Sequence, residues 1–357
     1  MVIDTAMMKK NILVTGNLGY IGSVMVPALI EAGYNVTGYD AGYYEDCYLT
    51  ETRQSLKKQI KKDIRDCKPE YLSGIDCMIH LAGLSNDPLG ELDPSLTEAI
   101  NFHATLQLAE NAKKAGVKRF LFASSQSVYG ISDSKKDVDE EGSINPITVY
   151  AKTKWNSECE LKNLCSDEFI VTCLRPATAY GASPNMRTDI VFNAFAAYAF
   201  TNKLIEIKSD GTPWRPMTHI KDITAGFIAC IEAPDELVQN QIFNVGTADN
   251  NYTVRQLAET AQKCIAGTKL IFTGEHADPR SYRVSSAKIL NVLKDYYKPQ
   301  WNIEKGASEL IDFYNYVKLD MDAFNVYKCT RLKALKKLID EKVIDGNLRK
   351  IQEKCNV

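Results

Sequence analysis

A glycine-spaced turn between a short apolar run and a helical pattern constrains this chain more than any other feature. The run Asn11 to Thr15 stops at Gly16, and from Gly19 to Ala32 the residues Ile21, Val24, Met25, Ala28 and Leu29 recur at helical spacing. The pattern reads as strand, turn, helix, with glycines at 16, 19 and 22. Gly16 permits the tight turn, Gly19 lets backbone approach a ligand closely, and Gly22 lets the helix pack against the strand. Unpaired amides at the start of such a helix suit a pyrophosphate. The expected cradle is Gly16, Asn17, Leu18, Gly19, Tyr20, Ile21 and Gly22. By itself such a fingerprint is weak, since an ordinary turn can use the same residues.

Its surroundings strengthen it. A second strand, Asn35 to Tyr39, ends in Asp40, about 20 residues beyond the glycines, where an acid accepts the ribose hydroxyls of NAD. A carboxylate there would repel the extra phosphate of NADP. Asp63 and Ile64 follow the run Gln59 to Lys62 and are placed like the acid–apolar pair beside adenine in such domains. NAD is the expected cofactor.

Strand-like runs then alternate with helical ones. Asp76 to Leu81, Lys118 to Ala123 and Phe169 to Leu174 read as strands; Pro94 to Ala115 and Tyr150 to Leu164 read as helices. Alternation of this kind implies an α/β fold, a doubly wound parallel sheet of Rossmann type, with its ligand beyond the carboxyl ends of the strands. After Tyr180 the text changes. A helix is expected around Asp189 to Thr201, another over His219 to Ile231, and Gln241 to Val245 reads as a strand rejoining the sheet. The expected division is an NAD-binding domain over 9–180, rejoined by 219–246. A smaller, discontinuous α/β substrate-binding lobe takes 181–218 and 247–319, and a C-terminal helical tail takes 320–357.

Composition narrows the classes. With 43 Lys plus Arg against 45 Asp plus Glu in 357 residues, no strong field points to nucleic acid or an anionic membrane. No apolar stretch is long enough to span a bilayer, and the first ten residues lack a signal-peptide core. The ten cysteines show no Cys-x-x-Cys pair and no clustering with the four histidines, so no metal site is expected and the thiols suit a reducing cytoplasm.

The reacting groups are read from Tyr150 and Lys154, which share one face of a helix. An ammonium beside a phenol favours phenolate, so Tyr150 can serve as base for an alcohol and acid for a ketone. Lys154 can also hydrogen-bond the nicotinamide ribose. Ser125, at a strand end about 25 residues upstream, would hold the substrate oxygen.

Taken in order, these segments resemble the extended short-chain dehydrogenase/reductases of the NAD-dependent nucleotide-sugar epimerase and dehydratase group. The matching residues are Thr15 to Gly22, His80-Leu81-Ala82-Gly83, Asn101, Ser124 to Gly130, Tyr150 with Lys154, Leu174-Arg175-Pro176, Tyr180-Gly181, and Trp214-Arg215-Pro216 before His219. The resemblance implies a catalytic set of Ser125, Tyr150 and Lys154. It implies a cofactor lining of Asp40, Asp63, Ile64, Leu81, Ala82, Gly83, Asn101 and Pro176, and a substrate diphosphate met by Arg215 and Arg280. Ser85, with the polar loop Asn86 to Gly90, Gln126, Thr178, Arg187 and Asn193 are further substrate-binding candidates. Thr178 stands where relatives usually carry asparagine, and Asn17-Leu18 replaces the more usual Gly-Ala. A homodimer through the helices 94–115 and 148–164 is expected by analogy.

The resemblance also sorts the reactions. Family 4,6-dehydratases carry an Asp-Glu pair where this chain has Gln126 and Ser127, decarboxylases tend to place a glutamate at Ser127, and 3,5-epimerases a cysteine there. Without those groups the expected chemistry is oxidation at one carbinol, normally C4, and return of the hydride. Epimerisation of a nucleotide-diphosphate sugar is the first expectation. A net nucleotide-sugar oxidoreductase is the alternative, and a non-catalytic dinucleotide sensor a minor one. His80 and His219 are read as packed or capping residues; His103 and His276 have no assigned role.

Overall fold

The computed structural model describes residues 9–51, 55–85, 93–132, 136–274, 280–320 and 327–351. The loop 86–90, His276 and the turn at 278–279 lie outside the described residues.

Six strands build most of a central sheet: β1 (Asn11–Thr15), β2 (Asn35–Asp40), β3 (Lys58–Lys61), β4 (Cys77–His80), β5 (Arg119–Ala123) and β6 (Ile170–Pro176). Three short strands follow, β7 (Thr178–Tyr180), β8 (Leu204–Ile207) and β9 (Trp214–His219), and then β10 (Gln241–Val245) returns to the sheet. The order is β3-β2-β1-β4-β5-β6-β10, every pairing parallel. The chain runs outward from β1 to β3 and then crosses to β4. A topological switch point therefore opens between β1 and β4, where ligands bind in open α/β sheets.

Burial on both faces explains why the strands read as apolar runs without alternation. Ile12 and Val14 enter one core and Leu13 the opposite one; Leu121 and its neighbours Phe120 and Phe122 divide the same way, all fully buried. Helices α1 (Gly22–Glu31) and Ile220–Glu232 close the first face through Met25, Leu29, Ile223 and Phe227. The expected helix over 94–115 is split. It runs as α2 (Pro94–Glu98), a π turn (Ala99–His103) and α3 (Ala104–Lys114), which covers the second face with α4 (Val149–Leu164). The π turn shifts the register by a residue, a device common at functional sites. Here it turns Asn101 toward the backbone of Leu84, whose amide and carbonyl it pairs at 2.8 and 2.9 Å.

A third core lies beside the sheet. It gathers α5 (Val191–Asn202), the helices Val254–Cys264 and Ile303–Tyr316, the pair of β8 with Lys269–Phe272, and a three-stranded sheet of β7, β9 and Asn251–Thr253. Strand β9 has no counterpart in the sequence reading, because Arg215 and Pro216 interrupt its pattern. The tail differs from a continuous helix. Among its described residues only Arg331–Asp340 is α-helical, after a 3₁₀ turn at Tyr327–Cys329, and residues 341–351 fold back through a bridge between Ile344 and Lys350. Among the described residues no helix is long and apolar enough to cross a membrane.

Candidate active site

A cleft of about 920 Å³ opens at the carboxyl ends of β1, β4, β5 and β6 and extends over the third core. Its first wall is the glycine turn. Gly16 has φ +71°, and a Cβ there would lie 2.8 Å from the Ala82 amide nitrogen. At Gly22 a Cβ would sit 2.3 Å from the Gly16 carbonyl oxygen. No other residue fits at either position, so the backbone forms a shallow cradle at the start of α1. Gly19, Tyr20 and Ile21 complete its lining.

Asn17 and Leu18 are placed otherwise. The Asn17 side chain is fully buried and exchanges hydrogen bonds with Gln59 at 2.8 and 3.3 Å, tying the turn to β3. Leu18 contributes backbone only, its amide donating to Asp40 at 3.1 Å. Neither side chain lines the cleft. Asp40 ends β2 in the cleft wall and also accepts from the Gly42 amide at 2.8 Å. Burial pushes its carboxyl up, and the two amides hold it partly down. Asp63 and Ile64 line the same end. Burial of Asp63 is outweighed by Arg65, which meets both carboxylate oxygens and holds the group below its ordinary range. Acceptors beside a phosphate cradle suit a dinucleotide, and the residues present fit NAD.

At the ends of β4, β5 and β6 the cleft is walled by Leu81, Ala82, Gly83, Ser125 and Pro176. Thr148 caps α4, accepting from the Ala151 amide at 3.2 Å, so that Tyr150 and Lys154 face this wall from the first turn. Lys154 is almost fully buried, donates to the Ala123 carbonyl at 2.7 Å and lies 5.7 Å from the Tyr150 ring centre. Burial pushes its ammonium down to about 8, against the pull of the Glu158 carboxylate. Ser125 Oγ accepts from the Ser127 amide at 3.1 Å, which leaves its O–H to donate into the cleft. Tyr150, Lys154 and Ser125 thus line the same cleft.

Ser85, Gln126, Thr178, Arg187, Arg215 and Arg280 also line the cleft. Arg187 donates to Ser85 Oγ at 2.9 Å and is held bidentate by Asp189 at 2.8 and 3.2 Å. Arg215 donates to the Arg280 carbonyl, which joins the two arginine-bearing segments. Asn101 and Asn193 do not line the cleft. Asn193 is fully buried, accepts from the Gly181 amide and donates to the Tyr20 hydroxyl and the Arg187 carbonyl, bracing the wall from behind.

Two groups escaped the sequence reading. Glu158, one turn beyond Lys154, forms a buried pair with Arg175 at 2.6 Å; Arg175 continues to Tyr129 at 2.8 Å and Tyr129 to Asn244 at 2.8 Å. Its spacing from Tyr150 and Lys154 on one helix face was the available sign. Arg331, from the tail, also lines the cleft, with nothing near it in sequence to announce the role. His80 and His219 are packed or capping residues. His80 lies between the Thr15 and Thr105 hydroxyls at 2.7 and 2.8 Å, and burial lowers it to about 3, so it stays neutral. His219 caps its helix by accepting from the Lys221 amide, and bonds Glu309 at 2.7 Å. Among the described residues no cluster of His, Cys, Asp or Glu could hold a metal.

Known proteins share this architecture and sequence. The chain is 27% identical over 316 residues to a UDP-glucose 4-epimerase of Mycolicibacterium smegmatis, a match covering 85% of this chain and 97% of that protein. The solved UDP-glucose 4-epimerase of Thermotoga maritima with UDP-glucose superposes with a TM-score of 0.75 at 25% identity, over 87% of this chain and all of the other. MoeE5 in complex with UDP-glucose and NAD gives 0.74 at 25% identity, again over 87% and 100%. A sequence model of the NAD dependent epimerase/dehydratase family matches residues 12–246. With the glycine cradle, Asp40 and the Tyr150–Lys154 pair in one cleft, the chain belongs to that family, as an NAD-dependent enzyme of the extended short-chain dehydrogenase/reductase type.

Proposed function

We propose that the protein is a nucleoside-diphosphate-sugar epimerase that inverts C4 through a 4-keto sugar. The carrying observation is the meeting of Tyr150, Lys154 and Ser125 beside the cradle, with a neutral amide and hydroxyl, Gln126 and Ser127, at the neighbouring positions. Elimination would require an acid and a base there; oxidation and reduction at one carbinol require only a proton carrier. UDP sugars are the first substrates to test, because three similar proteins are UDP-glucose epimerases or hold UDP-glucose.

Bound NAD would supply the hydride acceptor and donor for the carbinol carbon. The chain's own groups handle the proton and the geometry. Tyr150 Oη takes the hydroxyl proton as the C4 carbonyl forms, and gives it back after the sugar has presented its other face. Lys154 keeps positive charge beside the phenol and bonds the nicotinamide ribose. Ser125 donates to the substrate oxygen and holds it against Tyr150. Gly16, Gly19, Tyr20, Ile21 and Gly22 cradle the dinucleotide pyrophosphate, with Asn17 and Leu18 shaping the turn. Asp40 takes the adenosine ribose, Asp63 and Ile64 flank adenine, and Leu81, Ala82, Gly83 and Pro176 border the nicotinamide half. Asn101 acts on that border through Leu84. Arg215 and Arg280 bind the substrate's diphosphate as guanidinium forks, while Ser85, Gln126, Thr178 and Arg187 face the sugar or its nucleoside and Asn193 braces them.

In this reading 9–180 with 219–246 carries the cofactor, and 181–218 with 247–319 carries the substrate. Two copies pair through the helical stretches 94–115 and 148–164. Proton NMR of the protein mixed with NAD and UDP-glucose, UDP-galactose or UDP-glucuronate tests the reading. A C4-epimer mixture reached from either side is expected. Stoichiometric growth of the NADH absorbance would instead establish a net oxidoreductase.

A further inference from the structure

We infer that the C-terminal segment 327–351 forms a wall of the cofactor site, in which Arg331 binds a phosphate oxygen of the dinucleotide's pyrophosphate.

The segment is anchored on the residues that border the adenosine end. Leu335, Ile344 and Leu348 enter the same buried cluster as Tyr39, Ile60 and Ile64. The Leu348 carbonyl accepts from the Tyr43 hydroxyl, and Arg349 pairs with Asp66 at 2.6 Å and with Asp63 at 3.6 Å. At its other end the Cys329 carbonyl accepts from the Thr188 amide at 3.0 Å. The tail therefore bridges the β2–β3 edge of the sheet to the loop before α5, across the cleft.

Arg331 stands in the middle of this bridge. Its side chain is 2% exposed, stacks over the Tyr44 ring at 4.3 Å and donates through Nη2 to the Asn185 carbonyl at 3.0 Å. Asn185 in turn donates to the Leu18 and Tyr44 carbonyls, both at 2.8 Å. The guanidinium is thus tied, through one residue, to the glycine turn that cradles pyrophosphate. Its Nη1 is buried and has no nitrogen or oxygen partner among the described residues, the Cys47 thiol beside the guanidinium being only a weak acceptor, although Arg331 lines the cleft. A buried guanidinium N–H without a partner is costly and is normally satisfied.

The neighbouring charges say what would satisfy it. Arg187, also buried, is fully engaged by Asp189 and Ser85. Asp189 is held by that fork, accepts the Arg331 backbone amide at 3.4 Å and draws on the Arg331 charge, yet it is already shared with Arg187. Asp40 lies close enough to be drawn down by the Arg331 charge, but its oxygens already accept the Leu18 and Gly42 amides and face the ribose. A buried guanidinium with an unpartnered N–H beside a phosphate cradle calls for an anion with acceptor oxygens, which a pyrophosphate supplies. The Asp40 carboxylate opposes a 2′-phosphate at the same place.

The test uses full-length protein freed of carried-over dinucleotide, and reads binding rather than turnover. Calorimetry with NAD, ADP, UDP and NADP, and ligand-observed NMR with adenosine, is applied to wild type, Arg331→Gln and Arg331→Lys. Gln keeps a donor for the Asn185 carbonyl without the charge, and Lys keeps the charge without the fork. Arg331→Gln is expected to weaken NAD and ADP about tenfold or more, a charge-assisted bond's worth. Adenosine should be unaffected, with part of the loss recovered in Arg331→Lys. Unchanged ADP affinity, or an equal loss for adenosine, would overturn the inference in favour of a structural role. A loss confined to UDP would move the residue to the substrate's diphosphate, and one confined to NADP to a 2′-phosphate; either refutes it. None of these outcomes depends on which sugar reaction the enzyme performs.

Discussion

The Lys154 ammonium lies 5.7 Å from the centre of the Tyr150 ring, held there by the Ala123 carbonyl at 2.7 Å rather than by a carboxylate. The arrangement links β5 to the first turn of α4. The strand end that supplies Ser125 thereby also fixes the cation beside the phenol. Removing the phenol oxygen alone should separate chemistry from binding. Tyr150→Phe is expected to keep NAD affinity within about twofold while turnover falls a hundredfold or more, the usual weight of a general acid–base. Calorimetry and an NMR epimerisation assay on the same sample check both halves. Turnover at a third of wild type would remove Tyr150 from the acid–base role.

Lys154 carries a stability cost with a definite pH window. Burial lowers its folded-state value to about 8 from an ordinary 10.5, so between these values the unfolded chain holds the extra proton. Stability contributed by this group therefore rises with pH across that window, and the penalty is complete below about pH 8. Two and a half units correspond to about 3 kcal/mol, less the bond to Ala123. Lys154→Met should accordingly unfold at higher temperature at pH 7, by about 1–2 kcal/mol, yet be inactive. The gain should vanish as pH climbs past 10. Calorimetric melting at pH 7 and 10 checks the sign; a destabilised Met variant at pH 7 would contradict it.

Much of this site was legible in the chain because its determinants are local. Gly16 is forced by its own φ of +71° and Gly22 by a 2.3 Å approach to the Gly16 carbonyl one turn back, and such constraints leave glycine in the text. Tyr150 and Lys154 needed only helical spacing, and Asp40 only a strand end. The unread parts depend on long separations. Asn17 looked like a ligand contact but is spent on Gln59, 42 residues later, and Asn193 on Tyr20, 173 residues earlier. Strand β9 hides behind an arginine and a proline that its two neighbouring strands tolerate. Arg331 reaches the cleft only because Leu335, Ile344 and Leu348 dock on the far face of the sheet. No local pattern carries that information.

In the proposed reading cofactor choice rests on Asp40. Its carboxylate receives the Leu18 and Gly42 amides at 3.1 and 2.8 Å, so it is fixed in the cleft wall rather than free to swing away. Asp40→Ala should bring NADP at least tenfold closer to NAD in affinity, corresponding to about 1.4 kcal/mol of repulsion removed. Paired titrations of both dinucleotides measure the ratio. A ratio equal to that of wild type would show that this acid does not read the ribose.

The buried pair behind the reacting groups offers the last test. Glu158 and Arg175 are both about 1% exposed along their side chains and joined at 2.6 Å, and the Ser124 hydroxyl also donates to Glu158. Breaking such a pair leaves an uncompensated buried charge, so Glu158→Gln should cost about 3–5 kcal/mol of stability. It should also act on catalysis by a route that a packing defect would not. Glu158 raises the proton affinity of Lys154, working against burial. Without its charge the ammonium loses its proton more easily, and the alkaline limb of the kcat/KM profile should move to lower pH than in wild type. Arg175→Met removes the opposite charge and leaves Glu158 facing Lys154 unneutralised. That variant should be destabilised comparably, yet its limb should move to higher pH. Opposite displacements in two variants of similar melting temperature would establish that the limb reports Lys154; displacement in one direction for both would show that it does not.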